Sequence, residues 1–178
     1  MDVIRTDIED LYILKPKVFE DARGYFFESF KNSVLQQHGL NYQFIQDNQS
    51  KSSYGVIRGL HFQTGEFAQA KLVRVLQGRI LDVALDLRPN SPTYGKHASV
   101  ELSDENKNQL LIPRGFAHGF SVLSDTAIVF YKCDNDYSKS HEDGIYYKDT
   151  TLNIDWKLKE SDILISEKDA QLLPFIEK

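Results

Sequence analysis

The chain has 178 residues, a net charge of -5 and a single cysteine, Cys133. Length and even composition fit one domain, residues 1–178, large enough to bury about 70% of its unfolded surface. The acidic balance speaks against a nucleic-acid-binding surface, and one cysteine excludes a disulfide framework or a thiolate metal cluster.

The first residues, Met1-Asp2-Val3-Ile4-Arg5-Thr6-Asp7, form no long apolar run, and no later stretch does. Neither a signal peptide nor a membrane span is expected, and the expected compartment is the cytoplasm. Residues 3–19 read as short strands broken at Lys15-Pro16. Asp21-Ala22-Arg23-Gly24 reads as a turn, and the aromatic run over 25–30 as a strand. A short helix is predicted over 31–39, stopped by Gly39. Phe44-Ile45-Gln46-Asp47-Asn48 is strand-like with a polar end, and the Ser- and Lys-rich residues 49–54 read as a loop.

The stretch from Gly55 to Gln63 sets Arg58, His61 and Gln63 in an otherwise apolar, strand-like segment, and Lys71 opens the next such run. Cations and imidazoles buried without partners cost several kcal/mol, so a strand that keeps them points to a polar cavity. Strict alternation puts Arg58 and His61 on opposite faces. A bulge at Gly59 would bring them to one.

Residues 71–76 and 79–87 read as two strands of a hairpin turning at Gln77-Gly78. In the second, Leu81, Val83, Leu85 and Leu87 share one face and Asp82 and Asp86 take the other. Further strands are predicted over 98–102, 110–113, 119–123 and 126–132, with a loop at 88–92 and a polar turn at 104–107. A short helix is predicted to start near Ser166, with its hydroxyl as N-cap. Many short strands between Gly, Pro and Asn turns predict an all-β jelly roll with a few short helices.

Pro113-x-Gly115-x-x-His118 resembles the second motif of cupins, the double-stranded β-helix jelly rolls. Metal cupins carry two histidines spaced H-x-H in their first motif. Here that place reads His61-Phe62-Gln63, so no metal and no other cofactor is expected. The match is closer still to one cupin family. Its blocks are Arg23-Gly24-x-Phe26-Phe27-Glu28, Gln46-Asp47-Asn48, Arg58-Gly59-Leu60-His61-Phe62-Gln63, Ala68 to Arg74, Ile112 to Phe120, Tyr131-Lys132, Tyr137-Ser138 and Ser166-x-Lys168-Asp169. In this order they resemble the dTDP-4-dehydrorhamnose 3,5-epimerases, across residues 5 to 175.

The resemblance implies inversion of the two carbons that flank a ketone in a dTDP-4-keto-6-deoxy sugar. Such chemistry needs a base on one face, a proton donor on the other, and a cation or donor at the keto oxygen. His61 would be the base, since imidazole titrates near neutrality. Asp169 would be the carboxylate that orients it, and Tyr131 the proton donor. Taken singly, each has a plainer reading: a hydrogen-bonded core histidine, a carboxylate in a helix's first turn, one of nine tyrosines. Lys71 and His118 suit the keto oxygen, against a snorkelling lysine and a relic of a metal-ligand histidine. Arg23, Arg58 and Lys168 would bind the diphosphate. Tyr137 resembles the residue that stacks on thymine, with Phe26 near the base. Glu28, Gln46, Asp47, Asn48 and Glu142 resemble polar contacts to nucleotide or sugar.

The resemblance further implies a homodimer whose N-terminal segment crosses to the neighbouring site, carrying Arg23 and Glu28 there. The alternatives are a single-position epimerase of a related sugar, a 3,4-ketoisomerase cupin, and a non-catalytic nucleotide-sugar-binding cupin. A metal-dependent cupin is disfavoured by Gln63.

Overall fold

The structure is a computed structural model and describes residues 1–176; the last two residues of the expected domain, Glu177 and Lys178, lie outside them. In chain order the strands are β1 (Asp2–Arg5), β2 (Tyr12–Lys15), β3 (Val18–Asp21), β4 (Gly24–Phe27), β5 (Gln46–Ser53), β6 (Ile57–Gln63) and β7 (Lys71–Gln77). They continue with β8 (Arg79–Asp86), β9 (His97–Ser103), β10 (Gln109–Ile112), β11 (Phe116–Val122), β12 (Thr126–Cys133) and β13 (Glu142–Gly144). Two short helices, α1 (Asn32–Gln37) and α2 (Glu167–Ala170), complete the regular structure apart from three single 3₁₀ turns. No helix among the described residues is long and apolar enough to cross a membrane.

The strands form two antiparallel sheets, ordered β1-β2-β10-β7-β12-β5 and β13-β6-β11-β8-β9, with β3-β4 as a separate hairpin. The sheets pack face to face, giving the expected jelly roll. Val73, Val75, Leu110, Ala127 and Val129 from the first meet Ile80, Ala84, Phe116, Phe120 and Val122 from the second. The outer face of the second sheet is covered too. Leu81, Val83, Leu85 and Ala117 pack against Ile145, Leu152, Trp156 and Phe175 of the C-terminal segment. A smaller cluster joins Leu35 of α1 to Leu14, Leu72 and Leu111 on the first sheet's outer face.

Several sequence expectations change. β7 and β8 are not a hairpin; they lie in different sheets. Gly78, at φ +80°, turns the corner between them, where a Cβ would sit 2.1 Å from the Thr126 carbonyl oxygen. Residues 49–53 belong to β5 and are not a loop. This strand borders the cavity on one face and solvent on the other, so it has no apolar period to betray it. The strand expected over 25–30 ends at Phe27. The helix N-cap is as read: Asp169 N–H donates to Ser166 Oγ at 3.1 Å.

Candidate active site

The open end of the roll holds a cavity of about 540 Å³, lined by Arg58 and His61 of β6, Lys71 of β7, His118 of β11, Tyr131 of β12 and Asp169 of α2. A second lobe of about 330 Å³ shares His61, Lys71 and Tyr131 with it and adds Gln46, Asn48, Tyr137 and Glu142. The three shared side chains therefore stand at the junction of the lobes. They come from facing sheets: His61 from the second, Lys71 and Tyr131 from the first.

Arg58 and His61 reach one face through a bulge. His61 pairs with His118 but Arg58 pairs with Phe120, so three steps along β6 match two along β11. Gly59, at φ +120°, lies in this bulge, where a Cβ would meet Gly119 Cα at 2.5 Å. Only glycine permits both the positive φ and that approach. Arg58 Nε donates to Ser52 Oγ at 3.0 Å.

Asp169 is buried and lies 2.7 Å from His61 Nε2 through Oδ1. Its Oδ2 accepts the Gly59 N–H at 3.2 Å. Burial alone would raise the Asp169 pKa. Hydrogen bonding and charge from His61, with help from the Gly59 N–H and Ser166, outweigh it and hold the carboxyl below the usual aspartate value. The carboxylate thus keeps its charge and fixes the imidazole, leaving the other ring nitrogen, Nδ1, without a hydrogen-bond partner among the described residues.

On the opposite sheet, burial raises the Tyr131 pKa, and the nearby Arg58 offsets this only in part. The phenol therefore stays protonated at neutral pH. Burial likewise lowers the Lys71 pKa, against the opposing influence of Cys133, Asp82 and Glu142. At the rim, Glu142 Oε2 accepts from the Tyr137 hydroxyl at 2.8 Å and from Lys168 Nζ at 2.6 Å. Burial would raise the Glu142 pKa, but these two bonds lower it overall.

A family model described as dTDP-4-dehydrorhamnose 3,5-epimerase matches residues 5–177. The Escherichia coli dTDP-4-dehydrorhamnose 3,5-epimerase is 53% identical over 174 residues, 97% of this chain and 93% of that one. The chain belongs to the dTDP-4-dehydrorhamnose 3,5-epimerase family. Two crystal structures of similar proteins agree in fold. The dTDP-4-dehydrorhamnose 3,5-epimerase of Elizabethkingia anophelis aligns with a TM-score of 0.94 at 55% identity, over 98% of this chain and 96% of that one. The dTDP-6-deoxy-D-glucose-3,5-epimerase of Legionella pneumophila, solved in complex with dTDP-4-keto-L-rhamnose, aligns with a TM-score of 0.93 at 46% identity, over 97% and 92%.

For this epimerase-family chain, most of the sequence-predicted residues converge. His61, Tyr131, Lys71, Asp169, Arg58, His118 and Lys168 line the larger lobe; Gln46, Asn48, Tyr137 and Glu142 line the smaller. Four do not. Asp47 points to the outer face of β5, where it pairs with Lys132 at 2.8 Å, because alternation sends it opposite to Asn48. Arg23, Phe26 and Glu28 lie on or just after the β3-β4 hairpin, outside both lobes of their own chain. Arg23 is 90% exposed and engaged only with Asp21.

Two residues have roles that the sequence does not show. Asp82 is fully buried and accepts from His118 Nε2 at 2.7 Å. Its signal was a carboxylate in the apolar run of β8. Gln63, expected among the polar groups of a cavity and in place of a metal ligand, uses its Oε1 to accept the Ser138 N–H at 2.9 Å and so anchors the loop that carries Tyr137. Among the described residues, no group of three or more His, Cys, Asp or Glu side chains is placed to hold a metal ion.

Proposed function

We propose that the protein inverts C3 and C5 of dTDP-4-dehydro-6-deoxy-D-glucose, giving dTDP-4-dehydro-L-rhamnose. The observation that carries this reading is the His61–Asp169 pair at 2.7 Å, facing Tyr131 and Lys71 across one cavity. A base and an acid on facing sheets suit inversion, because the proton must leave one face of the carbon and return to the other.

His61 takes the α-proton, and the Asp169 carboxylate stabilises the imidazolium that forms. The electron pair moves onto the keto oxygen, where the Lys71 ammonium balances it in a site shielded from water. Tyr131 returns a proton from the opposite face. C3 and C5 both flank C4, so a single oxyanion position serves both centres. Arg58 and Lys168 supply cations for the diphosphate, and Tyr137 an aromatic face for the base. No cofactor is required.

We further propose a cytoplasmic homodimer in which Arg23 and Glu28 serve the neighbouring site. The exposed hairpin supports this: Phe19 and Phe26 face each other across β3 and β4 and are 55% and 71% exposed. Large exposed apolar pairs on a projecting element favour a partner surface. Mixing Arg23→Ala chains with His61→Ala chains tests it. Activity regained in the mixture requires that Arg23 act across the interface; none regained rejects the trans assignment.

The primary test is NMR of dTDP-4-dehydro-6-deoxy-D-glucose with the protein in deuterated water, the product being trapped by a rhamnose-forming reductase. Deuterium at both C3 and C5 with an L-rhamnose product is expected. Deuterium at one carbon alone would instead identify a single-position epimerase. No exchange, with dTDP binding retained, would leave a nucleotide-sugar-binding protein.

A further inference from the structure

Strand β8 carries two aspartates on its inner face, Asp82 and Asp86, and both are fully buried. They are treated very differently. Asp86 is saturated: Arg88 Nη2 approaches it at 2.8 Å, the Ser91 hydroxyl at 2.5 Å and the Thr93 hydroxyl at 2.7 Å. That carboxylate ties the end of β8 to the following loop. Asp82 has one partner, His118 Nε2 at 2.7 Å, and its Oδ2 is buried with none among the described residues. A buried carboxylate with an unused oxygen costs stability that an apolar residue there would not. Packing therefore does not account for Asp82.

Its geometry does. His118 is only 7% exposed, yet it lines the larger lobe beside His61, its partner across the β6–β11 ladder. With Nε2 engaged by Asp82, the nitrogen left without a partner among the described residues is Nδ1. Which nitrogen an imidazole presents to a ligand, and in which tautomer, is set by the hydrogen bond that its other nitrogen makes. The Asp82 carboxylate also acts through space on Lys71, which stands on the facing sheet.

We propose that Asp82 is a positioning residue for the keto-oxygen side of the site: it holds the proton on His118 Nε2 and thereby presents Nδ1 to the sugar. It touches no substrate itself. The site then contains two His–Asp pairs whose histidines lie on adjacent strands, each spending Nε2 on its carboxylate and offering Nδ1 to the cavity. The activity arm of the test rests on the epimerase reading; the spectroscopic arm does not.

Long-range proton–nitrogen NMR of the ¹⁵N-labelled protein, free and saturated with unreactive dTDP-glucose, reads the ring directly. Nε2 of His118 should carry a proton in both states, and dTDP-glucose should shift Nδ1 more than Nε2. A ring protonated on Nδ1 alone, or an Nε2 that shifts as much as Nδ1, overturns the assignment. Asp82→Asn then tests function, because its amide can donate to Nε2 and drive the proton to Nδ1. Its kcat should fall at least about tenfold, with KM and dTDP affinity within about threefold of the parent. Parental kcat in this variant overturns the proposal. If Asp82→Asn does not fold, the parent spectra decide. A parent that never turns over the keto sugar refutes the proposed function, while the ring placement is still read from the spectra.

Discussion

The two His–Asp pairs have the same contact distance, 2.7 Å, and opposite settings. The His61 side chain is 29% exposed, and its Asp169 sits on a four-residue helix with a backbone N–H as second donor. The His118 side chain is 7% exposed, and its Asp82 is sealed inside a strand buried on both faces. A base that cycles its proton must reach substrate and solvent. A group that only orients must not move. One motif, an imidazole held by a carboxylate, is thus assigned its work by how open its surroundings are.

If that division is right, the largest loss comes from the open pair. His61→Ala should lower turnover by about 10³-fold or more and abolish solvent exchange at C3 and C5, since the base role is assigned to His61 and the other two junction groups to the oxyanion and the returned proton. Exchange at the parental rate in this variant would remove His61 from the base role. Tyr131→Phe should cost about 10²- to 10³-fold in turnover, yet leave measurable deuterium exchange at the first carbon, because the base is intact and only the return from the opposite face is lost. Equal loss of exchange and turnover would contradict separate acid and base.

Asp169→Asn should follow, at about 10²-fold in kcat, with a signature in stability. The folded-state pKa of Asp169 is depressed. Its contribution to stability is therefore present above the unfolded aspartate value, about 3.9, and is lost as pH falls through the folded value. Thermal melting of parent and variant should differ at neutral pH and converge in acid. A gap that stays constant with pH would mean that the charge of Asp169 contributes nothing.

Sequence and structure agree best where physics imposes a period or a rare residue. The apolar alternation of β8 is legible because one of its faces packs on the C-terminal segment. The Gly59 bulge becomes legible through the family resemblance, which puts both Arg58 and His61 at one site, although side chains three apart on a regular strand take opposite faces. β5 is legible only in its first residues, Gln46 to Asn48: the rest, to Ser53, has no apolar face, since one side borders the cavity and the other meets solvent. The false hairpin at Gly78 has a similar cause, because a glycine that turns a tight hairpin also turns a corner between sheets, and only long-range pairing tells them apart. Asp82 escaped because its partner lies 36 residues away, across a ladder that local pattern cannot reveal. Asp47 was misplaced because a motif names neighbours in sequence, whereas a strand sends them to opposite faces.

The smallest predicted effect lies at the rim, and it separates holding from chemistry. Lys168 is 59% exposed, and its pKa is raised, first by the hydrogen bond it donates to Glu142. An ion pair this open contributes no more than about 1 kcal/mol to stability, so Lys168→Gln should barely shift the melting temperature. The same lysine is proposed to meet the diphosphate, which must compete with Glu142 for it. Its loss should therefore raise KM by about two- to fivefold at low salt, with the difference shrinking as screening grows, and the effect should fall on KM, not on kcat. Steady-state kinetics at two ionic strengths would show this. A kcat effect as large as that of Asp169→Asn would move Lys168 from the rim into the reacting centre, and the division between an open chemical pair and a surrounding frame would have to be redrawn.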